Sequence, residues 1–592
     1  MTDPDRGSAV PGSQDQPQQN QRAKSVADGD IRYRLDRTQI TTLACRGREF
    51  VRRIFVTVRD HQWRETPPTR WEEKPLDVGH GFALRALHRS SSVEFEWEGV
   101  FRIERNIFTF SMEGRALRDT DICRVGLVVL YPIRPLIGAL LRTEGPDGQQ
   151  YFRIEREISP QRVIDAVPQG MTPPFSSLSF EELQGGSALS CRFNGELFEF
   201  EDQRNWGDAS FKAYCTPLRS GFPRLMKNGT VIRQEVQMTL APCSALAANR
   251  SDSVFEARIA DQKDAFRFPE LGSAGLPETA SKESGPAWSY VRLDVADLRS
   301  YSRATRDIEQ IQAGTKVELC ASLSDDDSSD GAFLALLQRF GSSIRRVLVR
   351  GLGVGLSSEK NVARLRKVLH DAGAPLPQFL VSTAGHFVEL NRDNPPLRLD
   401  GVAFPFCSTV HLADHRTVSE SPSVVADMVL SARKLSGQDE ITISPLALFY
   451  PSRGVADAIP REIAIPWALA VLIEAAKAQV TSVTLAVDLL AALSASGLPH
   501  LFNLLGSWSG EELRPVNIAC EDIYVAIMAS KNHEWQQVIF VNLSESPIEI
   551  RWYRDGIRIR RVMNALTGDF IDMTDNEPVE VPAETALIAS VS

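Results

Sequence analysis

Between residues 31 and 245 apolar and polar positions alternate in short runs, such as Val93-Glu94-Phe95-Glu96-Trp97-Glu98 and Asn106-Ile107-Phe108-Thr109-Phe110-Ser111-Met112-Glu113, with Gly, Pro and Asp turns between them. A period of two puts successive side chains on opposite faces of a strand, so this stretch predicts antiparallel sheets, each with one apolar face. Alternation sustained over this length predicts two sheets closing on one core. Past a Ser, Gly and Pro-rich segment from Leu271 to Pro286 the rhythm changes. Short apolar runs at Tyr290–Leu293, Lys316–Ala321, Arg346–Val349, Phe379–Val381, Gly401–Phe404, Ile441–Ser444 and Val483–Val487 read as strands. Between them, Asn361–Ala372 and Val424–Leu435 carry apolar residues at helical spacing. Strands and helices taking turns in this way predict a (β/α)8 barrel. Alternation returns in Val538–Leu543, Ile548–Trp552 and Thr585–Ala589.

The expected architecture is multidomain, α/β plus all-β: a disordered tail over 1–30, an N-terminal β-sandwich over 31–270, a central (β/α)8 TIM-like barrel over 287–515 and a C-terminal β-sandwich over 516–592. A chain of 592 residues exceeds the size at which one core keeps growing. The opening thirty residues are rich in Gln, Asp, Ser, Gly and Pro and hold no apolar stretch that could serve as a secretory signal. The longest apolar runs, Val125–Ile133 and Ala464–Ile473, are too short to span a bilayer, so no membrane partner is expected. A net charge of -10 without a basic run argues against nucleic acid. Eight dispersed cysteines fit neither zinc-ribbon spacing nor a disulfide scaffold, and a cytoplasmic location is the expectation.

Candidate chemistry concentrates in Phe198-Glu199-Phe200-Glu201-Asp202-Gln203-Arg204-Asn205-Trp206-Gly207-Asp208-Ala209-Ser210-Phe211-Lys212. A strand here buries Phe198 and Phe200 on one face and carries Glu199 and Glu201 on the other. Carboxylates and amides accept from and donate to hydroxyls, and Arg and Trp supply a planar wall, so Glu199, Asn205, Trp206 and Asp208 suit a polyhydroxylated ligand. The alternative is a strand end laced with structural ion pairs.

Further along, Gly351-Leu352-Gly353-Val354-Gly355 follows a strand but lacks the third glycine of a dinucleotide loop. His411 and His415 are four apart, yet no Glu follows the first and no third ligand is near, so no metal is expected. His411 and Asp414 are instead expected on a loop at a barrel strand end. Glu389, Asn391 and Arg392 follow another barrel strand, the position from which barrel enzymes build their sites. No Gly-x-Ser-x-Gly elbow occurs.

The block from Phe198 to Lys212, continued by Tyr214-Cys215 and Pro217-Leu218, resembles the corresponding block of the D-apionate lactonase family. Weaker matches are Ile158-Ser159-Pro160, Glu389-Leu390-Asn391-Arg392, Val410-His411 with Asp414, and Ile443-Ser444-Pro445. The resemblance implies a β domain, a TIM barrel and a β-sandwich tail, and hydrolysis of a branched sugar-acid lactone, D-apionolactone, without a cofactor. The chain departs from the family pattern at Tyr131-Pro132, where a His-Pro pair is expected, and at Gly207, where Thr is expected. It departs again at Phe449-Tyr450-Pro451 and around Asp488.

Lactone opening needs a base for water and donors for the developing oxyanion. On this reading Glu201 or Asp202 is the base, Arg204 and Lys212 are the oxyanion or orienting groups, and Asn205 and Asp208 hold hydroxyls. His411 and Glu389 are the second choices. A glycoside hydrolase with paired carboxylates among Asp294, Glu389 and Asp488, or a non-catalytic carbohydrate-binding protein, are the competing readings.

Overall fold

The computed structural model describes residues 24–591 except 78, 166, 182, 184–187, 242–253, 260–265, 277–287, 312–313, 353–354, 394–398, 413, 449–462, 496–504, 519–522, 532–534, 553–558, 566 and 574–577. The N-terminal region is all-β. An eight-stranded sheet runs from the hairpin Lys24–Asp28 and Ile31–Asp36 through the long strands Arg48–Asp60 and Thr120–Pro132 to Ser210–Tyr214 and Glu199–Asp202. A nine-stranded sheet built around His80–Arg89, Glu94–Glu104, Ile107–Ala116 and Val231–Leu240 faces it. The alternation explains the packing: Phe95, Trp97, Phe101, Phe108 and Phe110 from one sheet meet Ile54, Val56, Val58, Val125 and Leu127 from the other in one core. Lys24–Asp28 is a paired strand although it falls in the segment expected to be a tail; residues 1–23 lie outside the described residues.

The barrel is closed and parallel. Its strands are β1 (Glu270–Ala274), β2 (Tyr290–Val295), β3 (Lys316–Ser322), β4 (Ile344–Arg350), β5 (Gln378–Ser382), β6 (Gly401–Cys407), β7 (Ile441–Ala447) and β8 (Ser482–Leu485). Seven coincide with the sequence expectation. The eighth, β1, lies at the start of the segment read as a separator, because Gly272 and Ser273 look like turn residues. A Cβ on Gly272 would lie 2.3 Å from the Tyr290 ring of the neighbouring strand, so glycine is required there by packing, not by a turn. The expected last strand ends early, and Val487 begins a helix.

A further β region ends the chain, with a core that includes Val538, Phe540, Ile550, Val562 and Leu587. One of its strands, Val254–Ile259, comes from before the barrel. It pairs in parallel with Ile548–Trp552 and antiparallel with Glu512–Ile518. Periodicity groups this strand with the N-terminal domain because alternation marks a strand without naming its neighbours. No helix among the described residues is long and apolar enough to cross a membrane.

Candidate functional site

The charged block divides its side chains as alternation dictates. Phe198 and Phe200 enter the sandwich core, and Glu199 and Glu201 stand on the outer face of the eight-stranded sheet. That face is covered rather than solvated: Glu199, Glu201, Asp202, Gln203, Arg204, Asn205, Asp208 and Lys212 are all buried. After the strand a 3-10 turn over Gln203–Trp206 ends at Gly207, whose φ of 88° suits glycine. A Cβ there would lie 2.9 Å from the Cys407 carbonyl oxygen at the C-terminal end of β6. The block therefore rests on the rim of the barrel mouth.

Two sets of contacts result, and they do different work. The first is a clamp between domains. Arg204 donates Nε–H to Asp202 (2.9 Å), Nη1–H to Asp427 (2.9 Å) and the Arg156 carbonyl (2.7 Å), and Nη2–H to Asp202 (2.7 Å) and the Glu155 carbonyl (3.2 Å). All five guanidinium donors are thereby used. Asp202 also accepts from the backbone N–H groups of Arg204 and Ser159. Asn391, on the helix Phe387–Asp393 after β5, donates to the Asn205 amide oxygen (2.9 Å) and the Ile158 carbonyl (3.1 Å). Asp202, expected as the base, and Arg204, expected as an oxyanion donor, meet each other and the barrel in this arrangement. Both are saturated by protein partners at an interface. Asn205 and Asn391 likewise bind each other.

The second set lines a cleft. Asp208 accepts from His411 Nδ1 at 2.5 Å, and the Trp206 ring meets the His411 ring edge-on with centroids 5.2 Å apart. His411 lies on the loop after β6, as expected. Asp208, His411, Lys212 and Gln203 share the cleft with Arg52, Arg53, Arg59 and Arg416. Its volume is about 30 Å³, room for about two water molecules. Lys212 pairs with Glu201 at 2.7 Å, and Glu201 also accepts from Gln161 and Gln203, which sets it behind the lysine rather than in the cleft. Burial, together with the Arg124 and Arg59 cations, outweighs Glu201 and brings the Lys212 ammonium down to about 8.

Glu199 stands apart from the cleft. It accepts from the Tyr214 hydroxyl (2.9 Å) and the Leu218 N–H (3.0 Å), and burial raises its carboxyl above the ordinary value. Glu389 accepts from the His386 N–H at the start of its own helix. His415 turns to Glu584 at 3.1 Å, so the two histidines spaced four apart serve different partners. Burial above all, then the carboxylates of Asp488 and Asp208, push the Cys407 thiol up to about 11. Asp488 opens the helix Val487–Ala495 after β8. Tyr131, where the family pattern has His, is buried in the sandwich core with its hydroxyl on Cys191, away from the cleft. Phe449-Tyr450-Pro451 lies outside the described residues, as do two positions of the Gly351–Gly355 run.

Arg52, Arg53 and Arg59 escaped the sequence reading because charged residues in an alternating strand read as a solvated face. The signal was present: four arginines sit among the apolar positions of Arg48–Asp60, where Arg53 and Arg59 are buried. A wider groove of about 770 Å³ over the nine-stranded sheet is lined by exposed pairs such as Arg233–Glu113 and holds none of the sequence-predicted residues.

The family model described as D-apionate lactonase, N-terminal domain, matches residues 12–243, and that described as D-apionate lactonase, TIM barrel domain, matches residues 294–459. A curated D-apionate lactonase of Brucella anthropi is 23% identical over 268 residues, which cover 45% of this chain. The match spans 43% of the length of that relative. Among solved structures, a putative aldose 1-epimerase from Escherichia coli is 12% identical, with 37% of this chain and 99% of that one covered at a TM-score of 0.25. A GH30 endoxylanase from Clostridium papyrosolvens is 8% identical, with 57% and 99% covered at a TM-score of 0.32. Neither structural likeness carries a functional argument.

Proposed function

The chain is a divergent member of the D-apionate lactonase family, and from that premise we propose that it hydrolyses a sugar-acid lactone, D-apionolactone or a close analogue, to the open hydroxy acid. The observation that carries the reading is the Asp208–His411 hydrogen bond, formed between two domains at the barrel rim beside a cation-lined cleft. A carboxylate on Nδ1 orients an imidazole and stabilises its protonated form, leaving Nε2 to handle the proton.

In this mechanism His411 Nε2 takes a proton from water as the water oxygen bonds to the lactone carbonyl carbon. The carbonyl π electrons move onto oxygen, and the cationic cleft stabilises that charge. Collapse of the tetrahedral intermediate breaks the ring C–O bond. The His411 imidazolium returns its proton to the departing alkoxide, giving a hydroxyl and a carboxylic acid, which ionises. Lys212, set at the cleft, is the donor nearest in kind to the expected oxyanion group. Trp206 walls the sugar ring, which sits at the barrel mouth with only its carbonyl end entering the narrow cleft.

The test is proton release over a panel of aldonolactones, with aryl glycosides as the control. Lactone opening that falls in both Asp208→Asn and His411→Gln supports the reading. Glycoside cleavage without lactone opening, or full lactone turnover in both variants, refutes it.

A further inference from the structure

The cleft carries more donors than its own protein acceptors satisfy. Among the described residues the Nε–H groups of Arg52, Arg53 and Arg124 are buried without a hydrogen-bond partner, and Arg52 and Arg53 line the cleft. Arg53 is 6% exposed. A buried donor left unpaired is costly, and an arriving acceptor removes that cost. Carboxylates balance the cations of the cleft: Arg53 pairs with Asp414 at 2.6 Å, Arg52 with Glu420, which itself lines the cleft, at 2.9 Å, and Arg59 with Glu65 at 3.1 Å. These ion pairs make burial of the guanidinium groups tolerable while two Nε–H donors remain for another acceptor. Burial above all, and after it the Arg124 and Arg59 cations, lowers the Lys212 ammonium. The space available, about 30 Å³, is that of about two water-sized oxygens.

We propose that this cleft is a carboxylate subsite, which receives the two oxygens of the open sugar acid through Arg52 and Arg53. The proposal rests on the lactonase reading for the origin of the acid. Planar guanidinium groups match carboxylate geometry better than an ammonium does, and a hydroxyl-only sugar offers no charge to pair with them. The subsite therefore distinguishes the acid from the alditol of the same skeleton and makes the enzyme subject to inhibition by its product.

Isothermal titration of the full chain with D-apionate, D-erythronate and D-gluconate, each against its matching alditol, tests this, with acetate as the minimal carboxylate competitor. Charge-assisted hydrogen bonds of this kind predict that at least one acid binds about tenfold or more tighter than its alditol. They also predict that acetate competes and that Arg53→Gln abolishes the preference. If Arg53→Gln does not fold, Arg52→Gln carries the test. Equal affinity for acid and alditol in the parent, or an undiminished preference in the variants, overturns the subsite. Lactone opening measured on the same preparations separates the two ideas. Turnover without acid preference removes the subsite alone, and acid preference without turnover removes the lactonase reading alone.

Discussion

Arg204 of the N-terminal sandwich and Asp427 of the barrel form a buried ion pair at 2.9 Å although they lie 223 positions apart in the chain. Burial pulls the guanidinium down, but Asp202 and Asp427 outweigh it and hold its pKa above the ordinary value. Truncation to Arg204→Ala leaves the buried Asp202 carboxylate without its cation and Asp427 with Arg156 alone, and the expected loss is about 3–5 kcal/mol. Urea denaturation followed by fluorescence and by circular dichroism measures it; a loss below about 1 kcal/mol would mean the clamp is not what joins the domains.

Asp208→Asn and His411→Gln are each expected to lower lactone turnover by about a hundredfold to ten-thousandfold, the range for a general base and the group that orients it. Two residues acting as one unit do not add, so the double variant should fall little further than the worse single. Initial rates of proton release give all three values. Additive losses would show that the pair does not work as a unit.

Gly207→Thr restores the residue of the family pattern, yet here it is expected to be harmful. The position has φ of 88°, and a Cβ would lie 2.9 Å from the Cys407 carbonyl oxygen. A β-branched residue in that conformation costs about 1–3 kcal/mol. Thermal unfolding and lactone turnover should both drop. Unchanged values would mean that the block can shift off the rim without consequence.

Lys212 gives a pH signature. Its ammonium titrates at about 8 in the folded chain, against an ordinary value of 10.5, chiefly because it is buried. Between those values the unfolded chain binds the extra proton, so stability rises with pH across the window and is lost again as pH falls through 8. Urea midpoints from pH 7 to 10.5 should therefore climb for the parent relative to Lys212→Met. A flat difference would place the lysine in a wetter setting than the geometry gives it.

Much of this was legible beforehand, for reasons that can be named. Runs such as Lys316–Ser322 and Ile441–Ala447 are apolar, short and bounded by helices, and barrel strands covered on both sides must be so. Phe198 and Phe200 announced their face by spacing alone. Long-range pairing was another matter. His411 and Asp208 each drew notice, but nothing local couples positions 203 apart. Charge density at Asp202 and Arg204 marked a place where the protein concentrates ionic contacts, and density alone does not separate a domain clamp from a pocket. Arg53 and Arg59 looked solvated because their cover comes from the loop after β6 and from Glu65, which alternation within one strand cannot reveal.

The strand Val254–Ile259 bears on how the chain is made. It is translated ahead of the barrel, whereas its neighbours Glu512–Ile518 and Ile548–Trp552 emerge after it. Topologically the barrel is an insertion between two strands of the final β region, Val254–Ile259 and the short Phe266–Arg267, and the rest of it. During synthesis the first of them must wait, edges unpaired, until nearly the whole polypeptide has left the ribosome. A nascent chain stalled within the barrel exposes an adhesive segment, which makes this stretch the natural point of chaperone attention.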